Sequence, residues 1–150
     1  MRRYGIVVVG FALLSARSAL AQSPTPVKPA TDSLTFGVTR EGAIEVCEPK
    51  GERGYLERLV CEDGKAPSFK RAGSIGRRTA KLASQDSKEE MLLQGMGAEV
   101  SKPGGADYHV LDAFEVKCST KTFELLLDMY HCKDTPKAKA PAGFTLKEGK

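Results

Sequence analysis

Ala43-Ile44-Glu45-Val46-Cys47 is answered later in the chain by Ala113-Phe114-Glu115-Val116-Lys117-Cys118, and in each case a further cysteine, Cys61 or Cys132, follows fourteen positions on. These are all four cysteines of the 150-residue chain. Apolar and polar residues alternate within each stretch, the period of a half-buried strand. The run from Tyr55 to Cys61 follows the first stretch across Pro49-Lys50-Gly51-Glu52-Arg53-Gly54, and the run from Phe123 to Tyr130 follows the second across Ser119 to Thr122. Proline, glycine and small polar residues between two alternating runs signal hairpins. The pattern predicts a mostly β or α+β fold: two related antiparallel hairpin units packed as one small disulfide-stabilised domain, residues 34–132, with at most one short helix between them. The units span 34–69 and 106–132, joined by a polar connector over 70–105. Their likeness suggests an internal duplication, with Lys117 as the one extra residue of the second copy, and an extra residue inside a strand reads as a β-bulge.

Working outward, Leu34, Phe36 and Val38 alternate with Thr35, Gly37 and Thr39 and extend the first unit by a strand. A helical reading competes over 55–60 and 123–130, because Phe123, Leu126, Leu127 and Tyr130 also recur at helical spacing; the bounding turn residues favour strands. In the connector, Ser87 and Glu90 form a capping box ahead of Met91-Leu92-Leu93, and Gly95 stops the helix they open, over Ser87 to Gln94. The predicted core is Ile44, Val46, Leu56, Val60, Phe114, Val116, Leu125 and Leu127. Residues 22–33, with Pro24, Pro26 and Pro29, read as an extended, disordered lead-in, and 133–150 as a mobile Lys/Pro/Ala-rich tail.

Residues 1–21 have the three parts of a secretory signal: Arg2 and Arg3, the apolar run Tyr4 to Leu14, and the small residues around Ala19-Leu20-Ala21. A Sec-type signal cleaved after Ala21 is expected, hence a periplasmic or secreted location. The apolar run is too short to span about 30 Å of hydrocarbon, so no stable membrane insertion is expected after its removal. Arg2, Arg3 and Arg17 supply most of the formal net charge of +4, so the remainder is close to neutral. With base-stacking aromatics nearly absent from its basic stretch, nucleic-acid binding is not expected. Export places the four cysteines in an oxidising compartment, where Cys47, Cys61, Cys118 and Cys132 should form two disulfides. Their wide spacing lacks the short Cys-x-x-Cys knuckles of a zinc site.

A turn at Ser119 to Thr122 sets Val116 across from Leu125 and Phe114 across from Leu127. It also sets Cys132 opposite His109, far from Cys118, which favours bonds between the units, although all three connectivities stay open. The same register places the two histidines, His109 and His131, on opposite faces, so they should not share a metal. No metal or cofactor is expected. Each histidine could act alone as an acid or base, with Asp107 or Asp112 near His109. The stretch Lys65 to Lys81 has no acidic residue and offers Lys70, Arg71, Gly73, Ser74, Gly76, Arg77 and Arg78 as a loop whose backbone and guanidinium donors suit an anion. No nucleophile, base and oxyanion donor converge in any local signature. The reading is therefore an exported binding, interaction or structural protein without intrinsic catalysis, its partner an unidentified protein or anionic envelope component. The alternatives are a small envelope hydrolase or lyase using one histidine with a carboxylate, and an anion-binding module built on the basic loop.

Overall fold

The computed structural model describes residues 34–81, 84–101, 105–133 and 138–147. The expected signal and lead-in lie outside these residues. The described elements, in chain order, are β1 (Ile44–Glu45), α1 (Glu48–Glu57), β2 (Leu59–Cys61), β3 (Ser68–Arg77), α2 (Asp86–Gly95), β4 (Val110–Lys117), β5 (Thr122–Asp128) and β6 (Phe144–Leu146). Four strands form a sheet in the order β1-β5-β4-β3, antiparallel except for the parallel β1-β5 pair, and β2 with β6 forms a separate antiparallel pair. Among the described residues the fold is thus mixed and sheet-rich, with two complete helices and two disulfides.

The β4-β5 hairpin is present, but its ladder runs Lys117↔Thr122, Val116↔Phe123 and Phe114↔Leu125. Cys118 N–H donates to the Lys121 carbonyl, so the turn is the tight pair Ser119-Thr120 rather than Ser119 to Thr122. The resulting two-residue shift leaves each side chain on its expected face, because the strand period is also two. Lys117 pairs in register, so no bulge forms there. The bulges lie in β3 instead, between Arg71 and Gly73 and between Ser74 and Arg77.

The first stretch does not form the matching hairpin. Cys47 precedes α1 in an extended conformation, Pro49 sits in the first turn where its missing N–H costs nothing, and the chain coils through the residues expected as a turn. Two glycines make this a poor helix by propensity. Burial decides it: Glu52, Tyr55 and Leu56, at helical spacing, turn inward together. Gly51 lets α1 approach closely, since a Cβ there would lie 3.3 Å from Val46 Cβ. Because Tyr55 to Glu57 belong to α1, β2 starts at Leu59, which reverses the expected face: Leu59 and Cys61 are buried and Val60 is not.

Other elements depart from expectation too. Leu34 to Thr39 makes a helical turn and bends, held by Val38 and Thr39 N–H groups donating to the Thr35 carbonyl, not a strand. The stretch read as a basic loop is mostly β3, so the sheet extends into the expected connector. β6 arises from the stretch read as a tail, and buried Phe144 brings it into the core. The connector helix forms over Asp86–Gly95, with Ser87 inside it bonded to Ser84, so the capping box is not used.

The main core joins Ile44, Val46, Tyr55, Leu56, Leu59, Cys61, Phe114, Val116, Leu125, Leu127 and Phe144 between the sheet, α1 and the small β2-β6 pair. Alternate residues of β4 and β5 point the other way, where Leu111, Ala113 and Leu126 join Ala43 in a smaller cluster. Cys47 is bonded to Cys132 and Cys61 to Cys118. Both bonds therefore cross between the two cysteine pairs. Among the described residues no helix is long and apolar enough to cross a membrane.

Candidate functional site

Where the sheet's second face runs out, four chain segments bring Glu45, Arg78, Asp107, His109, Asp128 and His131 together. Glu45 and Asp128 are partners in the parallel β1-β5 ladder and so share a face. On the other side the β3-β4 pairing continues past the named strands: Arg78 N–H donates to the His109 carbonyl and Thr79 N–H to that of Asp107. The second β3 bulge sets this register and directs Arg78 into the group. His131 arrives by a different route. The chain leaves the β4-β5 ladder after Asp128 and follows β1 instead, with His131 N–H donating to the Val46 carbonyl and Cys132 tied to Cys47.

The histidines therefore do not occupy opposite faces as the extrapolated register requires. Their rings meet edge to face at 5.7 Å, and His109 also stacks on Tyr130 at 4.6 Å. Asp107, His109, Asp128 and His131 each offer a ligand-type atom within 4.8 Å of the others. His131 Nε2 lies 3.0 Å from Asp107 Oδ2 and 3.2 Å from Asp128 Oδ2. Arg78 Nη1 contacts Glu45 Oε1 at 2.6 Å, Asp107 Oδ2 at 3.1 Å and Asp128 Oδ2 at 3.6 Å.

These groups are held from behind by backbone. Asp107 Oδ1 accepts the His109 N–H and Asp128 Oδ1 accepts that of Tyr130. His109 Nε2 is 2.8 Å from the Ala98 carbonyl, which can only accept, so Nε2 carries the proton. Buried Gln94 of α2 fixes the same stretch, its Oε1 accepting the Tyr108 N–H and its Nε2 donating to the Ala106 carbonyl. Two atoms facing inward lack an aligned hydrogen bond: His109 Nδ1, although Asp107 Oδ1 is 2.8 Å away, and Asp128 Oδ2.

Burial alone would lower the histidines and raise Asp107, but their mutual contacts prevail. His109 is raised by Asp107 and the Ala98 carbonyl, His131 is pushed up to about 10 by Asp107, Asp128 and Glu45, and Asp107 is held well below the usual carboxylate range by both histidines. On the opposite sheet face, burial and then the charge of Asp112 raise Glu52 to about 7.

The residues proposed from sequence for an anion do not gather around a common point. Lys70 is exposed and reaches Glu115 at 3.3 Å. Arg71 grips Asp112 through Nε and Nη2, both at 2.6 Å, and Ser74 Oγ donates to the same carboxylate. Gly73 and Gly76 supply the positive φ angles of the bulged strand. The Arg77 carbonyl accepts from Arg40, and Arg78 belongs to the histidine cluster. Glu45, Asp128 and Arg78 were not linked to the histidines by sequence reasoning. A usable signal existed in Asp107-Tyr108-His109 and Asp128-Met129-Tyr130-His131, where each histidine closely follows an aspartate.

A shallow cavity of about 20 Å³ lies elsewhere, beside the Cys61–Cys118 bond and lined by Asp63, Ser119, Lys121 and Phe123. No protein-family model matches the chain, and no match was found among curated proteins or solved structures.

Proposed function

We propose that this chain is an exported binding or interaction protein without chemistry of its own, a small disulfide-locked frame carried out of the cytoplasm by a Sec-type signal cleaved after Ala21. The two crossed disulfides support an oxidising compartment. The observation that carries the non-catalytic reading is the orientation of the acid-base groups. The His109 side chain is fully buried and that of His131 is 16% exposed, each against carboxylates of its own chain. A general base has to reach a substrate proton, and these rings face inward. All four sulfurs are bonded, which removes thiolate nucleophiles. The hydrolase alternative keeps one favourable contact, His131 with Asp107, but that ring is turned onto carboxylates of its own chain. For the anion-binding alternative, Arg71 and Arg78 would first have to leave their carboxylates, which makes it the weaker reading.

The test is turnover. The purified disulfide-bonded chain, assayed against ester, phosphodiester, glycosidic and peptide substrates, should show no activity that changes on His131→Gln substitution. A turnover abolished by that substitution at unchanged melting temperature overturns the proposal. Intact mass of the protein recovered from the producing cells checks the export reading, which requires a chain starting at Gln22.

A further inference from the structure

The geometry points to a divalent transition-metal site, of the kind zinc occupies, formed by Asp107, His109, Asp128 and His131. It goes beyond the binding-protein reading and holds whether or not the chain has a partner. The ligand set is two imidazoles and two carboxylates, which favours zinc and its neighbours over calcium or magnesium, cations that prefer all-oxygen shells. In a tetrahedral site with metal-ligand bonds near 2.0–2.1 Å, ligand atoms lie about 3.3 Å apart. His131 Nε2 is 3.0 and 3.2 Å from the two aspartate Oδ2 atoms, and all four residues offer an atom within 4.8 Å of the others. Small side-chain shifts would bring the set onto one ion.

Two buried atoms aimed into this space argue for a cation independently of the ligand count. Asp128 is completely buried and its Oδ2 has no aligned hydrogen bond. His109 is equally enclosed. Its Nε2 proton is committed to the Ala98 carbonyl, and its Nδ1 faces Asp107 Oδ1 at 2.8 Å and Asp128 Oδ1 at 3.9 Å without hydrogen-bond alignment. A lone pair facing carboxylate oxygens is repulsive, so Nδ1 carries either a proton or a metal ion. A metal ion at Nδ1 takes the place of that proton once the ring turns toward the Oδ2 atoms, and a second ring nitrogen held by a backbone carbonyl is the usual outer support of a histidine ligand.

The rest of the cluster fits. Asp107 Oδ1 and Asp128 Oδ1 are occupied by backbone N–H groups, which leaves the Oδ2 atoms for the ion. Glu45, Asp107 and Asp128 against Arg78 leave two negative charges, which protonated imidazoles balance in the metal-free protein and one dication balances once it displaces those protons. Arg78 shares Asp107 Oδ2 but is closest to Glu45, so it can remain as a charged outer partner.

The disulfide-bonded chain, stripped with a chelator, should bind one equivalent of Zn2+ by calorimetry. Co2+ in its place should give the intense visible absorption of a four-coordinate ion. Outer supports of a metal site are each worth about 10- to 100-fold in affinity, so losing a ligand in His131→Gln should weaken Zn2+ by about 100-fold or more. In the unsubstituted protein Zn2+ should shift the nitrogen resonances of His109 Nδ1 and His131 Nε2, a readout that decides the matter even if His131→Gln does not fold. Absence of stoichiometric binding, undiminished affinity in a folded His131→Gln protein, Ca2+ binding as tight as Zn2+, or ring resonances that do not respond would each overturn the site.

Discussion

Replacing Glu52 by glutamine should abolish a loss of stability that the native protein suffers as pH rises. Glu52 faces inward from α1, only 4% exposed, and its Oε1 has no hydrogen-bond partner. Burial, and then the nearby charge of Asp112, raise it from 4.5 to about 7. In the unfolded chain the carboxyl ionises near 4.5, so between that value and about 7 the native state holds a proton that the unfolded state has released. Stability therefore falls with rising pH across this window, is unpenalised below it, and levels off above it. A shift of this size corresponds to about 3 kcal/mol at 1.36 kcal/mol per pKa unit. Glu52→Gln keeps the shape and removes the ionisation. Urea unfolding of both proteins at several pH values between 4 and 8, with disulfides intact, gives the difference in unfolding free energy directly. Other titrating groups act in both proteins and cancel to first order. The glutamine variant should gain up to about 3 kcal/mol on the native protein between the acid and alkaline ends. A difference that stays constant with pH would show that Glu52 ionises normally in the folded protein and that its burial is misjudged.

Four other consequences are accessible to the same measurements. Gly54 lies within α1 with nothing within 4 Å of a Cβ built on it, so Gly54→Ala should raise stability by about 0.5–1 kcal/mol; a destabilised variant would argue against helix at that position. Gly143 has φ +87° in the turn before β6, and a Cβ there would meet the Phe123 ring at 3.0 Å, so Gly143→Ala should cost about 1–2 kcal/mol in denaturant unfolding. Gln94→Leu strands the Tyr108 N–H and the Ala106 carbonyl, at about 2–3 kcal/mol, and should speed hydrogen exchange at the Tyr108 amide; unchanged protection there would refute the bond. A non-reducing peptide map should recover only Cys47 with Cys132 and Cys61 with Cys118, and removing the second pair should cost roughly 2–4 kcal/mol.

Strand character for 113–117 and 123–128 was legible because a period of two places Phe114, Val116, Leu125 and Leu127 on one face whatever the exact turn. The crossed cysteines were legible as the favoured pairing for a related reason: no reasonable register of that hairpin returns Cys132 to Cys118. The repeat between the two cysteine stretches did not carry over into structure. Ala43 to Cys47 enters a helix where Ala113 to Cys118 enters a hairpin, because Tyr55 and Leu56 can reach the core together with Glu52 only from a helical backbone. β6 was hidden for want of local signal, three residues held by pairing with β2 and by Phe144 in the core.

The candidate site shows the same division. Each aspartate-histidine pair is visible in the sequence, yet whether the two pairs meet depends on where β5 stops. Extrapolating the hairpin carries His131 to the far face, while the native chain leaves that ladder at Asp128 and is held along β1 by the Val46 carbonyl and the bond from Cys132 to Cys47. The sequence by itself determined which residues of β4 and β5 alternate into the sheet, that cysteine pairing between the two stretches is favoured, and which side chains bear chemistry, since these depend on local period and residue type. Only the tertiary structure decided that Arg78, Asp107, His109, Asp128 and His131 share one buried space. Such convergence is a sum of long-range pairings, and a slip in a single one sends a side chain to the opposite face of the sheet.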